Sequence, residues 1–185
     1  AALAAAGLRT VPTALVVRDA DAVAAVAALT GERFVLKTVS GASGRGVVVG
    51  LGRAEAARGA AAFADASGPV LVQPALGGGV DRRLFVAGGR IVACMERRPE
   101  ATGRANLRVG ASAVPFEPDA RETALAVQAA AALHLDVAGV DLLHDEAGPL
   151  LLEVNASPGL RGIEAVTGRD VAGAIVELLA ARLRG

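Results

Sequence analysis

Residues 137–155, VAGVDLLHDEAGPLLLEVN, decide the reading of the fold. Two apolar runs flank the turn DEAG, so the stretch is predicted to form two strands joined as a hairpin. Side chains two apart on a strand face the same side, which projects Glu153 and Asn155 together; Asp141 lies across the turn on the partner strand. Three oxygen-bearing side chains then converge, the donor chemistry preferred by a hard divalent cation such as Mg²⁺. Carboxylates set in GVDLL and PLLLEVN would also carry a desolvation cost of several kcal/mol unless paired or bound to a cation. A second reading stays open, in which alternation merely turns them to the solvent face of an antiparallel sheet.

Working outward, the same rhythm recurs. ALVV at 14–17 reads as a short strand, followed by a helix that Asp19 or Asp21 can cap and Gly31 can close. FVLKTVS and VVVGL read as a hairpin around the tip SGASGRG. A helix over 53–66 leads to PVLVQPAL, a strand that must change at Pro74, which has no N–H for a central ladder. DRRLFVAGGRIVACMERR is a long hairpin turning at Gly88 and Gly89. Residues 99–117 read mostly as loop with a short extended piece, 119–134 as a helix capped by Asp119, ASPGLRG as a loop, and 169–183 as the last helix. Strands in hairpins separated by single helices predict an α+β fold of two lobes, residues 1–75 and 76–185, rather than a doubly wound parallel sheet.

Composition narrows the chemistry. The chain has 185 residues, 53% of them hydrophobic, with 19 basic and 19 acidic side chains and a formal net charge of zero. A strongly basic nucleic-acid binder and a highly charged disordered tail are thereby excluded. The absence of Trp and Tyr, with only 4 Phe, argues against base-stacking surfaces. Cys94, the single cysteine, excludes an intrachain disulfide and reads as a small buried hydrophobe; His134 and His144 read as surface or packing residues. No apolar run approaches the roughly 18 residues of a membrane span, so the expectation is a cytoplasmic protein without a membrane partner.

The rare residues are the informative ones: Lys37 is the only lysine among 18 arginines, and Asn106 and Asn155 are the only asparagines. Lys37 precedes the glycine-rich tip, whose backbone N–H groups could approach phosphate oxygens beside a compact ammonium. The tip also reads simply as a turn, and neither GxxxxGK[ST] nor a strand-to-helix GxGxxG is present. Arg97, Arg98, Arg104 and Asn106 form a third cluster, either a guanidinium clamp for anions or solvated loop arginines.

Taken in order, FVLKTVSGASGRGVVV, VLVQPAL, DRRLFVAGGRIVACMERR, GRANL, DVAGVDLL and LLLEVNASPGLRGIEAVTGRDVA resemble the ATP-grasp superfamily, and within it the RimK-type alpha-L-glutamate ligases. The matching segments run from about residue 8 to 177. The resemblance implies an ATP-grasp fold with ATP between two α+β lobes, and an ATP-dependent carboxylate–amine ligase that forms an amide through an acyl phosphate. Glutamate would be added to a protein C-terminus or small acceptor. It further implies that Lys37 contacts the ATP phosphates under the hairpin that carries Ser43, Gly44 and Gly46. Gln73 would face adenine, and Asp81 would bind the ribose hydroxyls. Arg104 and Asn106 would line the triphosphate and acyl-phosphate region, Arg97 would meet the transferred phosphoryl group, and Asp141, Glu153 and Asn155 would hold Mg²⁺, with Mn²⁺ as a substitute. The chain departs from the family at Pro74 after the Gln, at RVGAS after GRANL, and in lacking an N-terminal domain of about a hundred residues. An ATP- and Mg²⁺-binding module inactive by itself is therefore the alternative expectation, and a homo-oligomer is left open.

Overall fold

The computed structural model describes residues 2–39, 46–99 and 112–184. In chain order the elements are α1 (Ala2–Ala5), β1 (Ala14–Val16), α2 (Ala22–Ala27), β2 (Arg33–Thr38), β3 (Val47–Gly52), α3 (Arg53–Ser67), β4 (Val70–Pro74), β5 (Asp81–Ala87) and β6 (Arg90–Arg98). They continue with β7 (Ser112–Pro115), α4 (Ala120–Ala132), β8 (Val137–Asp145), β9 (Gly148–Asn155), α5 (Arg161–Thr167) and α6 (Val171–Leu183).

Two antiparallel sheets result, one ordered β1-β4-β2-β3 and the other β7-β6-β5-β8-β9. In the first, alternation sends Phe34, Leu36, Val70 and Val72 to the face covered by α2 and α3. Ala56, Ala60 and Ala64 recur every four residues along α3 and give it a smooth stripe against that face. Complete burial of Phe34 is worth roughly 1.5–3 kcal/mol. The opposite face therefore carries Val35, Lys37, Leu71 and Gln73, with Val35 opposite Gln73 and Lys37 opposite Leu71.

The second sheet is divided differently. One face packs Leu84, Val86, Cys94, Val140 and Leu142 against the alanines of α4. The other face is apolar at one end, where Phe85, Ala93 and Met95 meet Ile163 of α5 and Val171 of α6. At its other end stand Asp81, Arg83, Arg97 and Asp141, placed together by the registers Asp81 to Arg97 and Arg83 to Asp141. Gly88 and Gly89 turn the β5–β6 hairpin with φ of 57° and 72°, a pair of left-handed conformations suited to a two-residue turn.

Several local expectations change. Neither Asp19 nor Asp21 caps α2 with its side chain, because Asp21 is engaged by Arg18 at 3.2 Å and Asp19 accepts from the Ala20 N–H. The carbonyls at that helix's far end are instead taken by Arg53, which donates to Val26, Leu29 and Gly31. Pro74 stays within β4, as its last residue: β1 pairs only with residues 70–72, so the missing N–H removes no bond on that side. The loop expected at ASPGLRG ends early, since α5 begins at Arg161, buries Ile163 and stops at left-handed Gly168. Residues 2–11, expected in the first lobe, lie against the second sheet: Leu3 and Leu8 pack on its core and Val11 donates to the Leu151 carbonyl at 2.9 Å. The Asp119 cap of α4 is present and is reciprocal, the Glu122 carboxylate returning to the Asp119 N–H at 2.8 Å. That same carboxylate accepts from Arg82, and His144 Nε2 lies 3.1 Å from it, so this histidine packs against the α4 cap.

Cys94 is buried as expected, and burial pushes its thiol up to about 12. Thiol reagents act on the thiolate. A disulfide-exchange probe at pH 7 is expected to leave the folded protein unlabelled and to react fully once denaturant unfolds it; fast labelling of the native chain would refute the packing described here.

Candidate active site

The polar end of the second sheet is organised by guanidinium groups. Arg97 lies between two carboxylates, with Nε 2.5 Å from Asp81 and Nη2 2.7 Å from Asp141. Arg83 adds a bidentate pair to Asp141 at 2.7 and 2.6 Å. The geometry follows from sequence alternation: Asp81 and Arg83 are two apart on β5, and β6 and β8 present Arg97 and Asp141 on the same side.

The two aspartates respond oppositely to their surroundings. Burial pushes the Asp81 carboxyl up to about 7 against the pull of Arg97, and the neighbouring Asp141 charge adds to the rise. Burial also opposes ionisation of Asp141, yet hydrogen bonds and charge from Arg83 and Arg97 outweigh it and hold this group below the usual carboxylate range. Three donated bonds against one account for the difference.

Asp141 stands opposite Glu153 in the β8–β9 register, and Asn155 stands opposite Gly139. The three oxygen donors thus share one face. Asp141 is 4% exposed, Glu153 is exposed, and Asn155 Oδ1 accepts from the Ser157 N–H at 2.8 Å. A carboxylate offers about four lone-pair positions, so Asp141 retains one beyond its three arginine bonds. Two carboxylates and an amide, without sulfur or imidazole, fit Mg²⁺ rather than a softer ion.

Lys37 comes from the other sheet. Burial lowers its pKa, while the charges of Glu153, Asp141 and Asp81 act in the opposite direction. A lysine on β2 thus lies in the field of carboxylates on β5, β8 and β9, which sets the polar faces of the two sheets toward one another. Gly46 closes the β2–β3 pair with φ of 77° beside Thr38, where a Cβ would collide with Thr38 Oγ1. Gln73, on the same face as Lys37, is 5% exposed and donates to Thr13 Oγ1 at 2.9 Å. Ser43, Gly44, Arg104 and Asn106 lie outside the described residues.

Two participants escaped the sequence reading, Arg83 and Thr13. Arg83 was legible in principle from its two-residue spacing to Asp81; Thr13 belongs to a segment whose partner lies 60 residues away.

A RimK-like ATP-grasp domain matches residues 1–179. The chain belongs to this family. A protein of Aliivibrio salmonicida named probable alpha-L-glutamate ligase is 46% identical over 154 residues, which cover 80% of this chain and 50% of that protein. Among solved structures, D-cycloserine synthetase DcsG superposes with a TM-score of 0.76 at 26% identity, covering 98% of this chain and 68% of that one. The ATP-grasp ligase PsnB, in complex with minimal precursor, Mg and ADP, gives 0.78 at 22% identity, covering 100% of this chain and 57% of its own. This RimK-like chain accordingly spans about half the length of the curated relatives it matches.

Replacing Arg97 by Met removes the counter-ion that Asp81 and Asp141 share. Breaking such a buried pair costs on the order of 3–5 kcal/mol. For Asp81 the folded state favours the neutral carboxyl, so its contribution to stability is lost as pH rises from the unfolded value toward and above 7. Urea denaturation at pH 5 and pH 8 is expected to show a larger Arg97→Met deficit at pH 8; equal deficits would remove the shared-counter-ion account.

Proposed function

We propose that the chain is the nucleotide-binding and phosphoryl-transfer part of an ATP-dependent carboxylate–amine ligase, working through an acyl phosphate and adding glutamate to a protein or small acceptor. What supports this reading is Lys37 on the polar face of one sheet and Asp81, Arg83, Arg97, Asp141 and Glu153 on one face of the other, whose carboxylate charges act on the lysine. A compact ammonium opposite oxygen donors is what a nucleotide with its cation requires. The glutamate assignment is supported by the names of the curated relatives.

In this reading Lys37 binds phosphate oxygens, with Ser43, Gly44 and Gly46 offering backbone N–H groups above them. Gln73 faces the base and Asp81 the ribose hydroxyls; Arg104 and Asn106 line the triphosphate. Asp141, Glu153 and Asn155 hold Mg²⁺, which when bound offsets phosphate charge. Arg97, already fixed by two aspartates, meets the transferred phosphoryl group. A substrate carboxylate oxygen attacks the γ-phosphorus, and the bond to the β-phosphate oxygen breaks to release ADP. The amine nitrogen then attacks the acyl carbon, phosphate leaves with the C–O electron pair, and the nitrogen loses a proton.

A second reading is a module that binds ATP and Mg²⁺ without turnover of its own. ADP release in the presence of glutamate and candidate acceptors separates the two. Calorimetric titration with ATP, with and without Mg²⁺, tests what they share, and no measurable affinity would sink both. Glu153→Gln is expected to weaken the Mg²⁺-dependent part of binding while leaving the circular dichroism spectrum unchanged, since Glu153 is exposed. Lys37→Arg keeps the charge but widens the head group. It is expected to lose about tenfold or more in ATP affinity, the scale of one charge-assisted hydrogen bond; unaltered affinity would exclude Lys37 from the phosphate site.

A further inference from the structure

The orientation of the Gln73 amide follows from its neighbours. Its residue is 5% exposed, on the face of the first sheet that carries Lys37, and among the described residues nothing donates to its Oε1. No buried side-chain oxygen or nitrogen among the described residues lacks a partner, so this oxygen is open to solvent or to a ligand. Which end of the amide faces Thr13 is settled by a third group. Thr13 Oγ1 donates to the Val11 carbonyl at 2.8 Å, and no described backbone N–H reaches that carbonyl, in a residue 2% exposed. Val11 itself is fixed to β9 through its bond to Leu151. A hydroxyl has one proton. With that proton committed to Val11, Thr13 can only accept from Gln73, so Nε2 must turn toward Thr13 and Oε1 must turn away from it. Reversing the amide would set two acceptors against each other at 2.9 Å or strip Val11 of its donor.

We infer that Thr13 is a positioning residue for base selection. By locking the Gln73 amide with its carbonyl oxygen free, it makes the site accept a heterocycle that presents an amino N–H, as the 6-amino edge of adenine does, and reject one that presents a carbonyl there. The inference rests on the proposed nucleotide site and adds to it the residue that enforces the choice. The rejection is electrostatic: a 6-oxo group would meet the Gln73 oxygen with no proton between them, and a site built for a hydrogen bond discriminates strongly against a ligand that cannot complete it.

The test compares ATP with inosine triphosphate, whose base carries a 6-oxo group and lacks the 2-amino group of guanine. Calorimetric titration of the chain with each nucleotide, in Mg²⁺, is expected to give the parent a preference for ATP of about tenfold or more. Thr13→Val keeps the shape and deletes the acceptor; the amide is then free to reverse, and the preference is expected to shrink to about threefold or less while circular dichroism stays unchanged. Thr13→Ser is expected to restore the parent ratio. Equal losses for both nucleotides in Thr13→Val, with the ratio intact, would reduce Thr13 to a packing role and overturn the inference alone. A parent that binds both nucleotides equally would also overturn it, whereas a parent that binds neither would remove the nucleotide site as well.

Discussion

Arg97 is the constraint on which the site depends. One guanidinium serves two buried carboxylates, and a second, Arg83, completes the bonding of the more deeply buried one. Without these partners, Asp81 and Asp141 would repel each other in a poorly solvated space, and the polar end of the sheet would gain by moving apart. With them, two acids of the same type acquire different proton affinities, one raised by burial and one held low by three hydrogen bonds. An arginine is suited to this bridging because its planar fork can address separate carboxylates from one fixed plane.

Most of this arrangement was legible because it obeys the two-residue period of a strand. Glu153 and Asn155 share a face, Asp141 lies opposite Glu153, and the glycine pair at 88–89 turns where expected. The fold class followed from hairpins alternating with single helices. Less legible were features that depend on distant partners. Asp19 and Asp21 are both sound helix-capping residues, and only the presence of Arg18 diverts Asp21. α5 has seven residues, too short for a helical period to stand out, and is held by burial of Ile163 rather than by propensity. Arg83 looked like one arginine among many until register set it on Asp141.

Of the rare residues, Lys37 stands on the polar face of the first sheet and Asn155 on the face that carries Asp141, while Asn106 lies outside the described residues. Lys37 lies in the field of Glu153, Asp141 and Asp81, and Asn155 stands beside the Asp141–Glu153 pair with its amide oxygen already accepting one backbone N–H. Gly139, opposite Asn155, is needed for a different reason: a Cβ there would come within 2.8 Å of Pro158 Cβ, so the loop after β9 lies directly over it. The motif EVNASPG thus combines oxygen donors with a chain reversal that only a bare backbone on β8 can admit.

Residues 11–14 carry a mechanical meaning beyond their hydrogen bonds. Val11 is stitched to β9, while Ala14 already belongs to β1 of the other sheet. The two residues between them leave three Cα-to-Cα steps, which span at most about 11 Å when fully drawn out. Close beside it, Gln73 and Pro74 lead β4 into the segment that reaches β5. These two crossings tether the sheets with little slack, so sliding one sheet along the other beyond that length would have to break the Val11–Leu151 bond.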